Sequence, residues 1–180
     1  MSSSAASAKR GPGFLYWLFQ AIPFAALYVV AVVLVAMTET DAKGSLDAWL
    51  KFIPAVAAVS VVLGWGNVNT SVGSHLGYLV RQILHWGGLA AIVYYVLFLP
   101  EIQQFIPNAV TGFTVLCLLG LTAYLAGVHT DWRMMVFGIS LVASAVGIAY
   151  LDDWSLLLAG GAAATILITL LLHRFFRRFR

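Results

Sequence analysis

FLYWLFQAIPFAALYVVAVVLVAM fills residues 14–37 without a single charge. At about 1.5 Å rise per residue, a helical run of this length crosses the roughly 30 Å hydrocarbon layer of a bilayer. Lys9 and Arg10 precede it, as in a signal peptide. The run is too long for a cleaved apolar region and lacks a clean small-x-small cleavage site, so it reads as a retained first helix. Five more apolar runs follow, at about 50–66, 78–99, 109–128, 133–151 and 154–173. The chain is 62% hydrophobic and 9% charged, where a soluble domain carries about 25% charged residues. The expected fold is an all-α integral membrane protein: a six-transmembrane-helix bundle with short loops. Residues 1–13 form a short N-terminal segment, 14–173 one transmembrane helical domain and 174–180 a basic tail. The rival arrangement has five spans and one interfacial helix, because the second run is short and ends in glycine.

Charge placement separates the two. Lys and Arg concentrate in cytoplasmic loops. Six spans with the N-terminus inside put Lys9, Arg10, Arg81, Arg133, Arg174, Arg177, Arg178 and Arg180 on the inner side, with Asp131. The outer side takes Lys43 and Lys51 with Glu39, Asp41, Asp47, Glu101, Asp152 and Asp153. Eight basic residues against two favours six spans, with both termini cytoplasmic in a bacterial-type inner membrane. Five spans would split this pattern.

Local signals mark the boundaries. Thr38 to Lys51 reads as a polar outer stretch. Pro107-Asn108 offers a turn and an N-cap, Thr130-Asp131 a cap for the fifth span, and Asp152 or Asp153 a cap for the sixth. Pro100 is expected to end the third helix, and Pro23 lies inside the first. Trp17, Trp49, Trp65, Trp86, Trp132 and Trp154 mostly fall near span ends, the headgroup level of an aromatic belt. Ser140, Ala143, Ser144 and Gly147 form a small-residue face in the fifth span, and Gly160, Gly161 and Ala164 another in the sixth. Such faces let helix backbones approach closely, within one subunit or between subunits. Thr40-Asp41 and Thr130-Asp131 are the only echo between the two halves of the chain, too little to establish an inverted repeat.

The segment GWGNVNTSVGSHLGYLVRQILHW, residues 64–86, carries the polar groups that need explaining. Arg81 lies about one turn inside the third span and His85 one turn deeper, on a face shared with Gly88 and expected to point into the bundle. Ionisable groups within a membrane are costly and are functional candidates. The loop His129-Thr130-Asp131 supplies the acid on the same side. Arg81, His85, His129 and Asp131 therefore form a candidate polar pocket at the cytoplasmic face. The structural alternative makes Arg81 and Arg133 orientation anchors, Asp131 a cap, and His85 a donor to a neighbouring carbonyl. In the tail HRFFRRFR, Arg174, Arg177, Arg178 and Arg180 are candidates for lipid-headgroup or partner contact, or anchors that fix orientation.

Other chemistries are weakly supported. His85 with His129 is the one conceivable haem pair, at mismatched depths, and a zinc site would need four groups to converge. No GxSxG, HExxH or glycine-rich phosphate loop occurs, and Cys117 is a lone thiol in an apolar run. No cofactor or metal is expected, and a net charge of +3 placed by topology does not indicate nucleic acid. The expected function is a non-enzymatic subunit or homo-oligomeric component of a membrane complex, partnered by lipids and by itself or other subunits. The alternative is a small transporter or channel, suited to an anion, with its path past Arg81 and His85.

Overall fold

The computed structural model describes residues 14–66 and 72–150 together with residues 160, 161, 164, 165 and 168; for residues 14–20, 72, 73, 96 and 97 it describes the backbone alone. All regular structure among them is helical: α1 (Phe14–Thr40), α2 (Ala42–Trp65), α3 (Val72–Ile92) continued by a π-helical turn (Val93–Leu97), the short α4 (Pro100–Gln103), α5 (Asn108–His129) and α6 (Trp132–Tyr150). Five of these, at Ala21–Thr40, Ala42–Trp65, Ser74–Tyr95, Asn108–His129 and Trp132–Tyr150, are long and apolar enough to cross a membrane. The sixth expected span, 154–173, and the tail arginines lie outside the described residues, apart from the five positions already given.

The second span is not the short element read from the sequence. Its helix starts at Ala42, and Asp41 alone separates it from α1. The polar stretch from Thr38 to Lys51 is thus the tight corner of a helical hairpin. The Asp41 carboxylate accepts from the Gly44 amide at 2.9 Å and caps α2. Lys51 and Asp47 then pair along one exposed helix face, a contact that contributes little in water. Inside the corner Thr38 donates to the Leu34 carbonyl, contacts the Ser45 hydroxyl at 3.0 Å and accepts from Trp49 Nε1 at 2.9 Å. Thr38 and Trp49 are fully buried. In hydrocarbon an unpaired polar group costs several kcal/mol, so this knot forces one packing of α1 on α2.

The same device closes the other hairpin. Thr130 ends α5 by donating to the Ala126 carbonyl, and Asp131 caps α6 by accepting from the Arg133 amide at 2.8 Å. The Thr-Asp echo is therefore corner chemistry. Pro107, not Asn108, precedes α5, and no side chain caps that helix; Asn108 is its first residue and reaches the Glu39 carbonyl at 3.5 Å. Pro100 begins α4, after α3 has already ended in its π turn.

At the centre, α5 touches α1, α2, α3 and α6. It packs most closely on α6, where glycines replace side chains at the crossing. A Cβ at Gly127 would strike the Met135 backbone, and one at Gly138 the Tyr124 backbone. Phe24 and Phe137 meet nearby with ring centres 6.1 Å apart. Small residues read in the fifth and sixth spans line one hollow of the subunit. Ser140, Ala143 and Ser144 share a hollow with Gly160, Gly161, Ala164 and Tyr28. Tyr28 contacts Ser144 Oγ at 2.6 Å, and a Cβ at Gly161 would collide with the Tyr28 hydroxyl.

Candidate functional site

The two ends of the bundle are chemically unlike. One holds the α1–α2 corner. The other brings the end of α2, the start of α3 and the α5–α6 turn together, and the turn carries His129, Asp131 and Arg133.

At that second end Gly64 is buried, and a Cβ there would meet the Tyr78 hydroxyl and lie 3.1 Å from Thr130 Cγ2. The Tyr78 hydroxyl donates toward the Ser60 and Val61 carbonyls at 3.2 and 3.3 Å. Trp65 covers this junction, with its ring 4.9 Å from His75 and 6.4 Å from Tyr78. Glycine at position 64 thus lets α2, α3 and the α5–α6 turn converge. Asp131 and Arg133 form an ion pair there, Nε to Oδ1 at 3.2 Å, with side chains 13% and 16% exposed. Arg133 also lines an apolar groove of about 420 Å³ with Pro23, Phe24, Ala58, Val59, Val62 and Leu63.

The four residues proposed as a pocket occupy separate surroundings. His85 is half-buried and donates from Nε2 to the Thr122 carbonyl of α5 at 3.0 Å. His129 is exposed at the end of α5. Thr122 and His129 are seven residues apart on one helix, about 10 Å along its axis. Asp131 is engaged by Arg133, and no hydrogen bond or ion pair among the described residues joins it to Arg81 or His129. No group of three or more metal-ligating side chains occurs among the described residues.

Arg81 is exposed, and the face it shares with Gly88 points away from the bundle, contrary to the sequence expectation. A Cβ at Gly77, Gly87 or Gly88 would meet nothing within 4 Å. The stripe of α3 that packs inward is Gln82, Trp86, Leu89 and Val93, one residue further round the helix. Trp86 Nε1 donates to Gln82 Oε1 at 3.0 Å, which gives the indole N–H its acceptor within the helix itself. Gln82 was missed as an inward polar residue. The signal was its i,i+4 spacing from a tryptophan that needs an acceptor. Trp49 and Trp86 are accordingly buried donors, not members of an aromatic belt, whereas Trp65 is exposed at a helix end as expected.

Among the described residues these features define a helical integral membrane protein with a partly buried ion pair at a hairpin turn and a weakly covered helix bearing an exposed arginine. The chain matches no protein-family profile, no curated protein and no solved structure.

Proposed function

We propose that this protein is a non-enzymatic component of a membrane complex, formed with itself or with other membrane subunits, and that α3 is its partner-facing helix. One observation carries the reading: α3 is the least covered of the five candidate spans, and its open face carries Arg81. Leu76, Val80, Ile83 and Leu84 are exposed beside it. Arg81 lies seven positions after Ser74, so the arginine's Cα sits about 10 Å from that end of the span. A guanidinium at that depth stands in a costly environment unless it reaches the interface or meets an anionic partner. Gly77, Gly87 and Gly88 on α3 allow a second helix to approach closely, which supports association by packing in lipid.

The transport reading needs Arg81 and His85 on one path. Arg81 facing outward and His85 turned toward α5 favour the interface reading instead. A sixth span returning the chain to its starting side, with the tail arginines at the anionic cytoplasmic leaflet of a bacterial inner membrane, completes the proposal.

The test is site-directed cross-linking in native membranes, with Cys117 replaced by alanine. Cysteine at Leu84 should give a dimer or a discrete heteromeric adduct, and cysteine at Val30, exposed on α1, should not. Equal cross-linking at both positions, or none at Leu84, overturns the assignment of α3.

A further inference from the structure

We propose that the groove between α2 and α3 binds an isoprenoid quinone, with a ring carbonyl accepting from the Gln82 amide and the isoprenoid chain running out into lipid. The groove holds about 370 Å³, within the range of small-molecule sites. It extends from Ile53 to Val61 on α2 and from Leu79 to Ala90 on α3, so it stays inside two candidate spans. No charged residue lines it among the described residues, and Gln82 and Trp86 supply its hydrogen-bonding side chains. Arg81, Leu84 and Gly88 are not part of the lining, so the site stands independently of the proposed α3 interface.

Gln82 is the group that points to a ligand. The residue is only 8% exposed. An indole N–H can only donate, so the Gln82 oxygen faces Trp86 and the amide nitrogen is turned the other way. That nitrogen donates to no group among the described residues. It is not sealed in either, and the groove is the space onto which Gln82 opens. An amide nitrogen offers two N–H donors and no acceptor, so the partner it lacks is an acceptor. Such a donor left unpaired in hydrocarbon is costly, because no water stands in for the partner.

Depth selects among acceptors. Gln82 lies eight positions after Ser74, about 12 Å along the axis from that end of the span. The phosphates and esters of a phospholipid stay in the interfacial layer outside the hydrocarbon. A quinone instead carries carbonyl oxygens on a compact ring joined to an apolar chain, and it dissolves at this depth. Its flat, electron-poor ring also suits the Trp86 indole beside the amide. Gly87 leaves room for that ring, since a Cβ there would meet nothing within 4 Å. A partner helix is the poorer occupant, because its backbone carbonyls are already bonded to its own amides.

The experiment is native mass spectrometry of the delipidated full-length chain in detergent micelles. Two probes are added separately: a benzoquinone bearing a short isoprenoid chain, and the same chain on a benzene ring without oxygens. The quinone should be retained, and the oxygen-free analogue should bind about tenfold more weakly. Gln82→Leu should lower quinone retention about tenfold. Because that change also takes the acceptor from Trp86, Gly87→Leu serves as a second variant; it fills the groove, leaves the Gln82–Trp86 pair in place and should lower retention at least as much. Retention unchanged in either variant overturns the site, as does equal binding of the oxygen-free analogue. So does a disulfide between two copies through Ile83→Cys, in a Cys117→Ala background, that saturating quinone leaves unchanged, since a helix then fills the groove.

Discussion

The α5–α6 hairpin and α3 show two ways for a membrane helix to meet the rest of a protein. In the window that defines each span, 44% of the α5 residues and 44% of the α6 residues are buried, against 22% for α3. The hairpin gains its contact through absence: Gly127 and Gly138 remove side chains so that backbones can touch. Gly77, Gly87 and Gly88 of α3 stand beside open space. Glycine alone therefore does not report packing. What matters is whether a neighbouring backbone occupies the room it leaves, and lipid provides no hydrophobic force to bring one there.

Substitutions in the two regions should separate sharply. Gly138→Val forces a branched side chain into the Tyr124 backbone, so it should cost at least about 3 kcal/mol and abolish the folded species in detergent thermal-unfolding measurements. A melting curve like that of wild type would mean the hairpin is looser than described. In the α1–α2 corner, Thr38→Val removes the acceptor of Trp49 and the partner of Ser45. The expected loss is about 1–2 kcal/mol, read as a lower Tm, because a buried indole N–H is left unpaired. Ser144→Ala deletes one interhelical hydrogen bond with Tyr28 and should cost about 0.6 kcal/mol, the average for such bonds in a membrane. Ser60→Ala should go the other way. The Ser60 hydroxyl oxygen is buried with no hydrogen-bond partner among the described residues, so its removal should leave stability unchanged or raise it by up to about 1 kcal/mol. Smallest of all, Gly88→Ala on α3 should shift stability of the isolated chain by less than about 0.5 kcal/mol. If it nevertheless weakens the cross-link through Leu84, the open face of α3 is an interface; if it destabilises the isolated chain as Gly138→Val does, α3 is covered.

Legibility in the sequence followed the locality of the physics. The five apolar runs before residue 152 each became a helix long enough to span, because chain length and hydropathy suffice for that. Asp131 was readable as a cap because a short carboxylate reaches a free amide two residues on. The start of α2 was not readable. Eight residues from Ala42 to Trp49 looked like a polar loop, yet Ser45 and Trp49 find their partner on Thr38 of α1, and only that hairpin makes them helix interior. The direction of the Arg81 face was not readable for a related reason. Arg81, His85 and Gly88 do share a helical face, but facing is a relation to neighbours, and the neighbours of α3 sit against Gln82, Trp86, Leu89 and Val93. Arg133 drew attention as an orientation anchor. Its place beside the groove depends on α1 and α2, far away in the chain.

By itself, then, the sequence determined that this chain forms membrane-length helices and where several of them stop, since hydropathy and capping are settled within a few residues. Only the tertiary structure decided which face of each helix turns inward. When a helix is apolar nearly all round, its hydropathy has little direction. Its rotation is then set by where glycine lets a backbone close in and where a buried hydroxyl, amide or indole finds its partner, as Gly138 meets Tyr124 and Trp49 meets Thr38.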